Sequence, residues 1–174
     1  LSNTAHLHRN ILASLNTHTF NFIPSIVQRI KSNSNSNHGS NGKNKIVYII
    51  LSTSTSKSNK LYESWFTKHE FVPLHSDQQA IVQKSIQLLK ENRYNYENDI
   101  LLHMIQEIAK SKVHSSIQLI LACTELSLWY KKSNLSQIPS TTVNIHDTAD
   151  IMSEIIVDYI CDPTKSTLIR TCNE

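Results

Sequence analysis

IQLILACTE, at residues 117–125, is the stretch that decides the fold. Its first six residues are almost all apolar, which is typical of a strand buried on both faces of a parallel sheet. Cys123 follows, and a helical pattern begins at Thr124. A similar apolar run, KIVYIIL, occupies residues 45–51. Strands that alternate with helices in this way predict an α/β fold with a parallel sheet.

Helical and extended patterns fill most of the remaining chain. Residues 32–44 are rich in Ser and Asn and have no apolar side chain to bury, so we predict a solvated low-complexity loop there. Short extended pieces are predicted at residues 20–24, 71–74 and 138–145. Helices are predicted over residues 3–15, 25–31, 59–69, 77–91, 100–111 and 124–130, and from an Asp147/Thr148 cap onward.

The loops that follow the predicted strands are expected to meet at one edge of the sheet. Right-handed crossovers place helix-opening loops at the carboxyl ends of parallel strands, where such sheets bind ligands. Residues 54–58, 123–125 and 147–148 all follow predicted strands. We therefore expect a ligand site at this edge.

Cys123 is the first candidate for chemistry at that edge. It lies where a strand turns into a helix, and the positive end of a helix dipole and free backbone N–H groups both lower the pKa of a thiol from about 8.5. The alternative is a small buried hydrophobic residue, as many cysteines are. Its polar neighbours Thr124 and Glu125 favour a functional site, because a purely structural strand end needs neither.

Composition bounds the class of protein. The 174 residues carry a net charge of +3, and the longest apolar runs are six or seven residues, whereas a membrane-spanning helix needs about 20. Lys and Arg are scattered, so we expect no nucleic-acid partner and no membrane partner. Three cysteines are too few for a disulfide framework or a zinc site, which favours a reducing, cytoplasmic location. His6 and His8 would point to different faces of a helix, and no metal site is expected.

Two short segments resemble the half-sites of a known family. LSNTAH at residues 1–6 and LACTE at residues 121–125 are similar to the Pro-Cys-Asn-Thr and Gly-Cys-Thr-Glu segments of the aspartate/glutamate racemase family. In that family each segment follows a strand and opens a helix, and the two cysteines face one another across a cleft. Cys123 matches the second cysteine, whereas Ser2 stands at the position of the first.

Three further stretches match the same family in order. They are LSTSTS at residues 51–56 with the following Leu-Tyr pair, residues 79–90 with the pattern Gln-x-x-Val-x-x-x-Ile-x-x-x-Lys, and residues 138–148. The resemblance implies that Thr53 and Lys90 contact carboxylates of the substrate. The full set of substrate-binding residues that it implies is Asn3, Thr4, Thr53, Lys90, Thr124 and Glu125.

The resemblance also implies a domain arrangement. Family members have two similar domains, each with a parallel sheet flanked by helices, and an active site in the cleft between them. Their glycine-rich first strand and turn have no counterpart here, so the first domain is expected to be incomplete. Residues 1–24 and 140–174 are then its remnant, residues 25–139 are the second domain, and the protein is expected to be a homodimer.

The function implied is racemisation of an acidic amino acid, aspartate or glutamate, without pyridoxal phosphate, metal or other cofactor. Cys123 and the residue at position 2 would move protons on opposite faces of the α-carbon. Ser2 weakens this mechanism, because a serine hydroxyl is a poor acid or base near neutral pH. Two alternatives therefore stay open: a catalytically inactive dicarboxylate-binding or interaction module of the same fold, and a cofactor-free decarboxylase with a single cysteine.

Overall fold

Three parallel strands with helices on both faces form the fold. The computed structural model describes residues 22–36, 45–112, 115–134, 138 and 143–161. In chain order its elements are α1 (Phe22–Ser36), β1 (Lys45–Leu51), α2 (Ser54–Ser58), a 3-10 turn (Glu63–Trp65), α3 (Ser76–Lys90), α4 (Ile100–Ser111), β2 (Ser115–Leu121), α5 (Thr124–Lys132), β3 (Val143–Asp147) and α6 (Thr148–Cys161). The predicted α/β class with a parallel sheet is confirmed.

β2 lies at the centre of the sheet, between β1 and β3. Its side chains alternate between the two faces, as in any extended chain. Ile117, Leu119 and Leu121 pack in one core cluster with α3, α4 and α5, whereas Ile120 and Ala122 pack in a second cluster with α1 and α6. Helices thus cover both faces, which explains why the strand is apolar along its whole length.

α3 joins the core through one stripe of its surface. Val82 and Ile86 are four residues apart and are 0% and 1% exposed, respectively. Each buried aliphatic side chain of this size contributes about 1.5–3 kcal/mol to folding. The same stripe begins at Gln79 and ends at Lys90, so packing of the apolar pair positions both polar ends of the helix.

The predicted loop over residues 32–44 is wrong at its start, because α1 continues to Ser36. Ser34 is buried, and its hydroxyl makes hydrogen bonds with the Ile30 carbonyl at 2.8 Å and with Gln118 Oε1 at 3.1 Å. The predicted extended piece at 20–24 is wrong for residues 22–24, which are helical. Pro24 lies in the first turn of α1, where its missing N–H removes no helical hydrogen bond.

The predicted helix over residues 59–69 is also wrong. The chain instead forms α2 directly after β1, because Thr53 Oγ1 caps it by accepting from the Ser56 amide at 3.2 Å. Lys60 has φ 49°, which ends the helical path, and a single 3-10 turn follows. The predicted strand at 71–74 is only one bridge, between Phe71 and Tyr48.

The other described elements match their predictions. α4 has the predicted bounds, α3 is shifted by one residue, and the strand at 45–51, the helix from Thr124 and the closing helix are all present. The predicted opening helix, residues 3–15, lies outside the described residues. The division into a first-domain remnant and a second domain stays a prediction; β3, from the segment 140–174, pairs with β2 in the same sheet as β1. In the described part of the chain, no helix has the length and apolarity to span a membrane.

Candidate functional site

The candidate site lies at the carboxyl edge of the sheet, as predicted. Leu51, Leu121 and Asp147 are paired in register, so the three strands end together. The chain then enters α2, α5 and α6, respectively. The segments 54–58, 123–125 and 147–148 therefore begin at this shared edge, which is where parallel sheets bind ligands.

Cys123 occupies the central position of this edge. It is the residue before α5, has an extended backbone with φ −155° and ψ 136°, and is 7% exposed. Its Sγ donates a hydrogen bond to Glu125 Oε2 at 2.7 Å. The thiol and the carboxylate therefore form a direct pair at the start of the helix.

Glu125 collects two further partners. Its Oε2 accepts a hydrogen bond from Thr124 Oγ1 at 3.1 Å, and its Oε1 lies 3.7 Å from Lys90 Nζ. Partial burial acts to raise the pKa of Glu125, but the hydrogen bonds from Cys123 and Thr124 and the charge of Lys90 hold this pKa below its usual value. Glu125 is therefore a carboxylate at neutral pH. We call Cys123, Thr124, Glu125 and Lys90 the Cys123 cluster.

The expectation of an acidic thiol is wrong. Burial, together with the hydrogen bond to the Glu125 carboxylate and its charge, raises the pKa of Cys123 to about 12. Backbone and Lys90 contributions act in the opposite direction but are smaller. At neutral pH the cluster therefore holds a protonated thiol beside a carboxylate.

Lys90 reaches the cluster from the last residue of α3. Its side chain is 51% exposed, and its pair with Glu125 is on the open side of the site. An exposed pair of this kind contributes at most about 1 kcal/mol. Because the lysine is held weakly, its ammonium group can turn toward an anionic ligand at little cost.

The other predicted site residues are placed differently. Thr53 begins the neighbouring helix α2, and its hydroxyl is used as the cap and in a hydrogen bond with Ser56 Oγ at 3.0 Å. Its position at the shared edge matches the prediction, but its hydroxyl supports the chain locally. Ser2, Asn3 and Thr4 lie outside the described residues. The structure thus brings together four of the predicted residues.

Tyr62 was not predicted as a site residue, yet it interacts electrostatically with Cys123. It is 1% exposed, and its hydroxyl is hydrogen-bonded to Thr148. Burial raises the pKa of Tyr62 to about 12, so the phenol is neutral. Thr148 in turn donates to the Leu121 carbonyl at 2.8 Å, which ties the end of β2 to the start of α6. The signal for Tyr62 in the sequence was the Leu61-Tyr62 pair, which resembles the Leu-Tyr pair of the racemase family.

Two buried oxygens near this edge lack partners within the described part of the chain. They are Gln79 Oε1 and Asp147 Oδ2. Asp147 Oδ1, by contrast, accepts from Ser127 Oγ at 2.6 Å and from the Ala149 amide at 2.9 Å. An unsatisfied buried polar atom costs about 1–3 kcal/mol, and such atoms in folded proteins are rare. From the sequence, only a capping role is predicted for Asp147.

No set of three or more His, Cys, Asp and Glu side chains capable of holding a metal ion occurs within the ranges that the structure describes. Comparison of the sequence with models of known protein families and with curated proteins gives no match. The geometry of the Cys123 cluster is therefore the basis for a functional proposal.

Proposed function

We propose that this chain takes part in the cofactor-independent racemisation of an acidic amino acid, in the manner of the aspartate/glutamate racemase family. The observation that carries the proposal is the 2.7 Å hydrogen bond from the Cys123 thiol to Glu125, at the end of the central strand. It supplies a proton donor and a proton acceptor at the edge where parallel sheets bind ligands.

In the proposed reaction, one base removes the proton from the α-carbon, and the electron pair of the broken C–H bond stays on the resulting carbanion. Cys123 Sγ–H then donates a proton to the opposite face. The thiolate that remains is reprotonated from water. A raised thiol pKa suits the donating half of this cycle, because the thiol is fully protonated at neutral pH.

Binding of a dicarboxylate needs positive charge, and Lys90 is the cation of the cluster. In the proposal its ammonium group holds one substrate carboxylate, and Thr124 adds a hydroxyl. Glu125 would repel a carboxylate, so it faces the substrate ammonium group instead. Ser2, Asn3 and Thr4 complete the site from the first domain, across the cleft between two similar domains, and Thr53 supports its wall. The active form is a homodimer.

Deuterium exchange tests this proposal. L- and D-aspartate and L- and D-glutamate are incubated in deuterated water with the protein, with Ser2→Cys, and with each form carrying Cys123→Ser, and the α-proton is followed by NMR. We expect exchange in the Ser2→Cys form, slower exchange in the original chain, and none after Cys123→Ser. Absence of exchange in every form contradicts the proposal and favours an inactive binding module.

A single-cysteine decarboxylase is a second candidate, and one specific observation favours it. A protonated, buried thiol needs no partner cysteine to protonate a carbanion that has formed by loss of carbon dioxide. The reaction breaks the bond between the α-carbon and a carboxyl carbon, and the thiol proton takes the place of the carboxyl group. Release of carbon dioxide from substituted malonates, abolished by Cys123→Ala, would favour this candidate over the racemase.

A further inference from the structure

The two residues before Cys123 are tied on both sides of the central strand. On one side, the Ala122 amide donates to the Leu51 carbonyl at 2.9 Å, at the end of β1. On the other side, the Leu121 carbonyl accepts from Thr148 Oγ1 at 2.8 Å, at the start of α6. The thiol of Cys123 therefore follows a segment whose backbone is fixed to both neighbouring parts of the sheet edge.

Thr148 makes its tie with a side chain and not with the backbone. Asp147 is the last residue of β3 that pairs with β2, and its partner there is Leu121. Thr148 comes next in the chain, is 8% exposed, and adds one hydrogen bond at the point where the strand pairing ends. Because this bond depends on a hydroxyl group, a single substitution can remove it while the backbone stays the same.

Tyr62 fixes the Thr148 hydroxyl from a third segment of the chain, the loop after α2. A hydroxyl has one hydrogen to donate, and that of Thr148 goes to the Leu121 carbonyl. Tyr62 is therefore the donor in its hydrogen bond with Thr148, which its neutral phenol allows. Its ring packs in the core cluster that contains Ala122, and the residue is 1% exposed. The phenol thus holds the hydroxyl that in turn holds the end of β2.

These hydrogen bonds directly precede a thiol whose protonation state depends on burial. Cys123 is 7% exposed, and burial is the largest cause of its raised pKa. Tyr62 is close enough to interact electrostatically with this thiol. Loosening of the end of β2 would admit water to the thiol, and the contribution of burial to its pKa would then decrease.

We propose that Thr148 and Tyr62 are positioning residues for Cys123: their two hydroxyl groups hold the end of β2 in place and thereby keep the thiol buried. This role rests on the proposed function for the importance of Cys123, and it adds two residues that act through that thiol. In the alternative account, both hydroxyl groups stabilise the fold without acting on the thiol. The two accounts differ in how the thiol reacts when one hydroxyl is removed.

Alkylation of Cys123 at about pH 9 tests the proposal, in a Cys161→Ser, Cys172→Ser background. Thr148→Val removes the hydroxyl and keeps the shape of the side chain, so we expect the pKa of the thiol to fall and the rate to rise roughly tenfold or more. Tyr62→Phe removes the outer hydroxyl alone and should give a smaller rise, of about threefold. Thr148→Ser keeps the hydroxyl and should react at the rate of the original chain.

Ile105→Val is the control for a purely structural effect. Ile105 is 2% exposed in α4, so its truncation destabilises the fold and removes none of these hydrogen bonds. An unchanged rate in Thr148→Val, or a rise no larger than that in Ile105→Val, would overturn the proposal. Tyr62→Phe decides by the same comparison if circular dichroism shows that Thr148→Val does not fold. Deuterium exchange stays a separate measurement: its absence beside the expected alkylation rates contradicts the racemase alone.

Discussion

A carboxylate lies at each end of α5, and the two differ in how fully protein donors occupy their oxygens. At the C-terminal end, Asp99 is 4% exposed, and each of its oxygens accepts two hydrogen bonds. The donors are the Tyr94 hydroxyl, the Leu102 amide, the Trp129 indole and the Ser133 hydroxyl. These donors join the start of α4 to the end of α5. Asp99 thus has no capacity left for a ligand, and its role is structural.

At the N-terminal end of α5, Glu125 has a different set of partners. Its side-chain donors are a thiol, an exposed hydroxyl and a half-exposed lysine, and its own backbone also contributes a hydrogen bond. The difference teaches that two carboxylates beside one helix can be held very differently: Asp99 by four protein donors that fill both of its oxygens, and Glu125 by a thiol, an exposed hydroxyl and a half-exposed lysine.

The largest expected effect comes from removing the Asp99 carboxylate at the C-terminal end of α5. Asp99→Ala removes the cap of α4 and leaves the Trp129 N–H buried without an acceptor, so the free energy of unfolding should fall by about 3 kcal/mol or more. Urea denaturation measures it. The control is Asp150→Ala, which removes an exposed carboxylate that pairs with Lys131 at 3.2 Å and should cost less than about 1 kcal/mol. Equal losses in the two variants would contradict a structural role for Asp99.

A second polar contact, between His146 and Gln118, lies on the other face of the sheet. His146 Nε2 is 2.7 Å from Gln118 Oε1, and burial lowers the pKa of His146 to about 4. As the pH falls from about 6.5 to 4, the unfolded chain binds a proton that the folded protein refuses, so stability is lost over that range. His146→Gln should remove about 2 kcal/mol of this acid sensitivity. An unchanged slope of unfolding free energy against pH would show that His146 is not buried as described.

Glu125→Gln tests the role of the carboxylate at the N-terminal end of α5. Loss of the carboxylate should lower the pKa of Cys123 from about 12, because the charge that opposes the thiolate disappears. In a Cys161→Ser, Cys172→Ser background, the rate of alkylation at pH 9 should then rise roughly tenfold for each pKa unit that is lost. A rate that does not change would mean that burial alone, and not Glu125, sets the state of the thiol.

The smallest effect is expected from Lys90→Met. The pair with Glu125 is exposed, so the free energy of unfolding should change by less than about 1 kcal/mol. The pKa of Glu125 should nevertheless rise toward its usual value, since one of the groups that lower it is gone. An NMR titration of the Glu125 side-chain carboxyl measures that shift. A loss of stability as large as that of Asp99→Ala would contradict the weak hold on this lysine.

Much of the fold is predictable from sequence, because its first two strands are buried on both faces and its main helices each bury one apolar stripe. The runs at residues 45–51 and 117–122 and the helical spacing in α3 and α4 are local signals. The end of α1 depends on a contact that is distant in sequence. The buried Ser34 hydroxyl donates a hydrogen bond to Gln118, 84 residues away. The Ser/Asn-rich composition predicted a loop there, whereas the structure has a helix that is tied to β2 by this tertiary hydrogen bond.

The four residues of the Cys123 cluster could be proposed from the sequence, whereas their electrostatics could not. Resemblance to family segments at residues 121–125 and 79–90 brought Cys123, Thr124, Glu125 and Lys90 into one hypothesis, and the structure brings the four together. The pKa of the thiol was predicted in the wrong direction, because the helix start was visible in the sequence, whereas the Glu125 rotamer and the depth of burial were not. The structural role of Asp99 was also not visible in the sequence, because two of its donors, Trp129 and Ser133, lie far from it along the chain.

The most direct test is a titration of Cys123 itself. With cysteine labelled at ¹³Cβ and the other two cysteines replaced by serine, the Cβ shift follows the protonation of one thiol. We expect the resonance of Cys123 to remain that of a thiol beyond about pH 10 and to move only toward pH 12, because burial and the Glu125 carboxylate both oppose the thiolate. A midpoint at or below the ordinary thiol value of about 8.5 would contradict a protonated donor paired with Glu125.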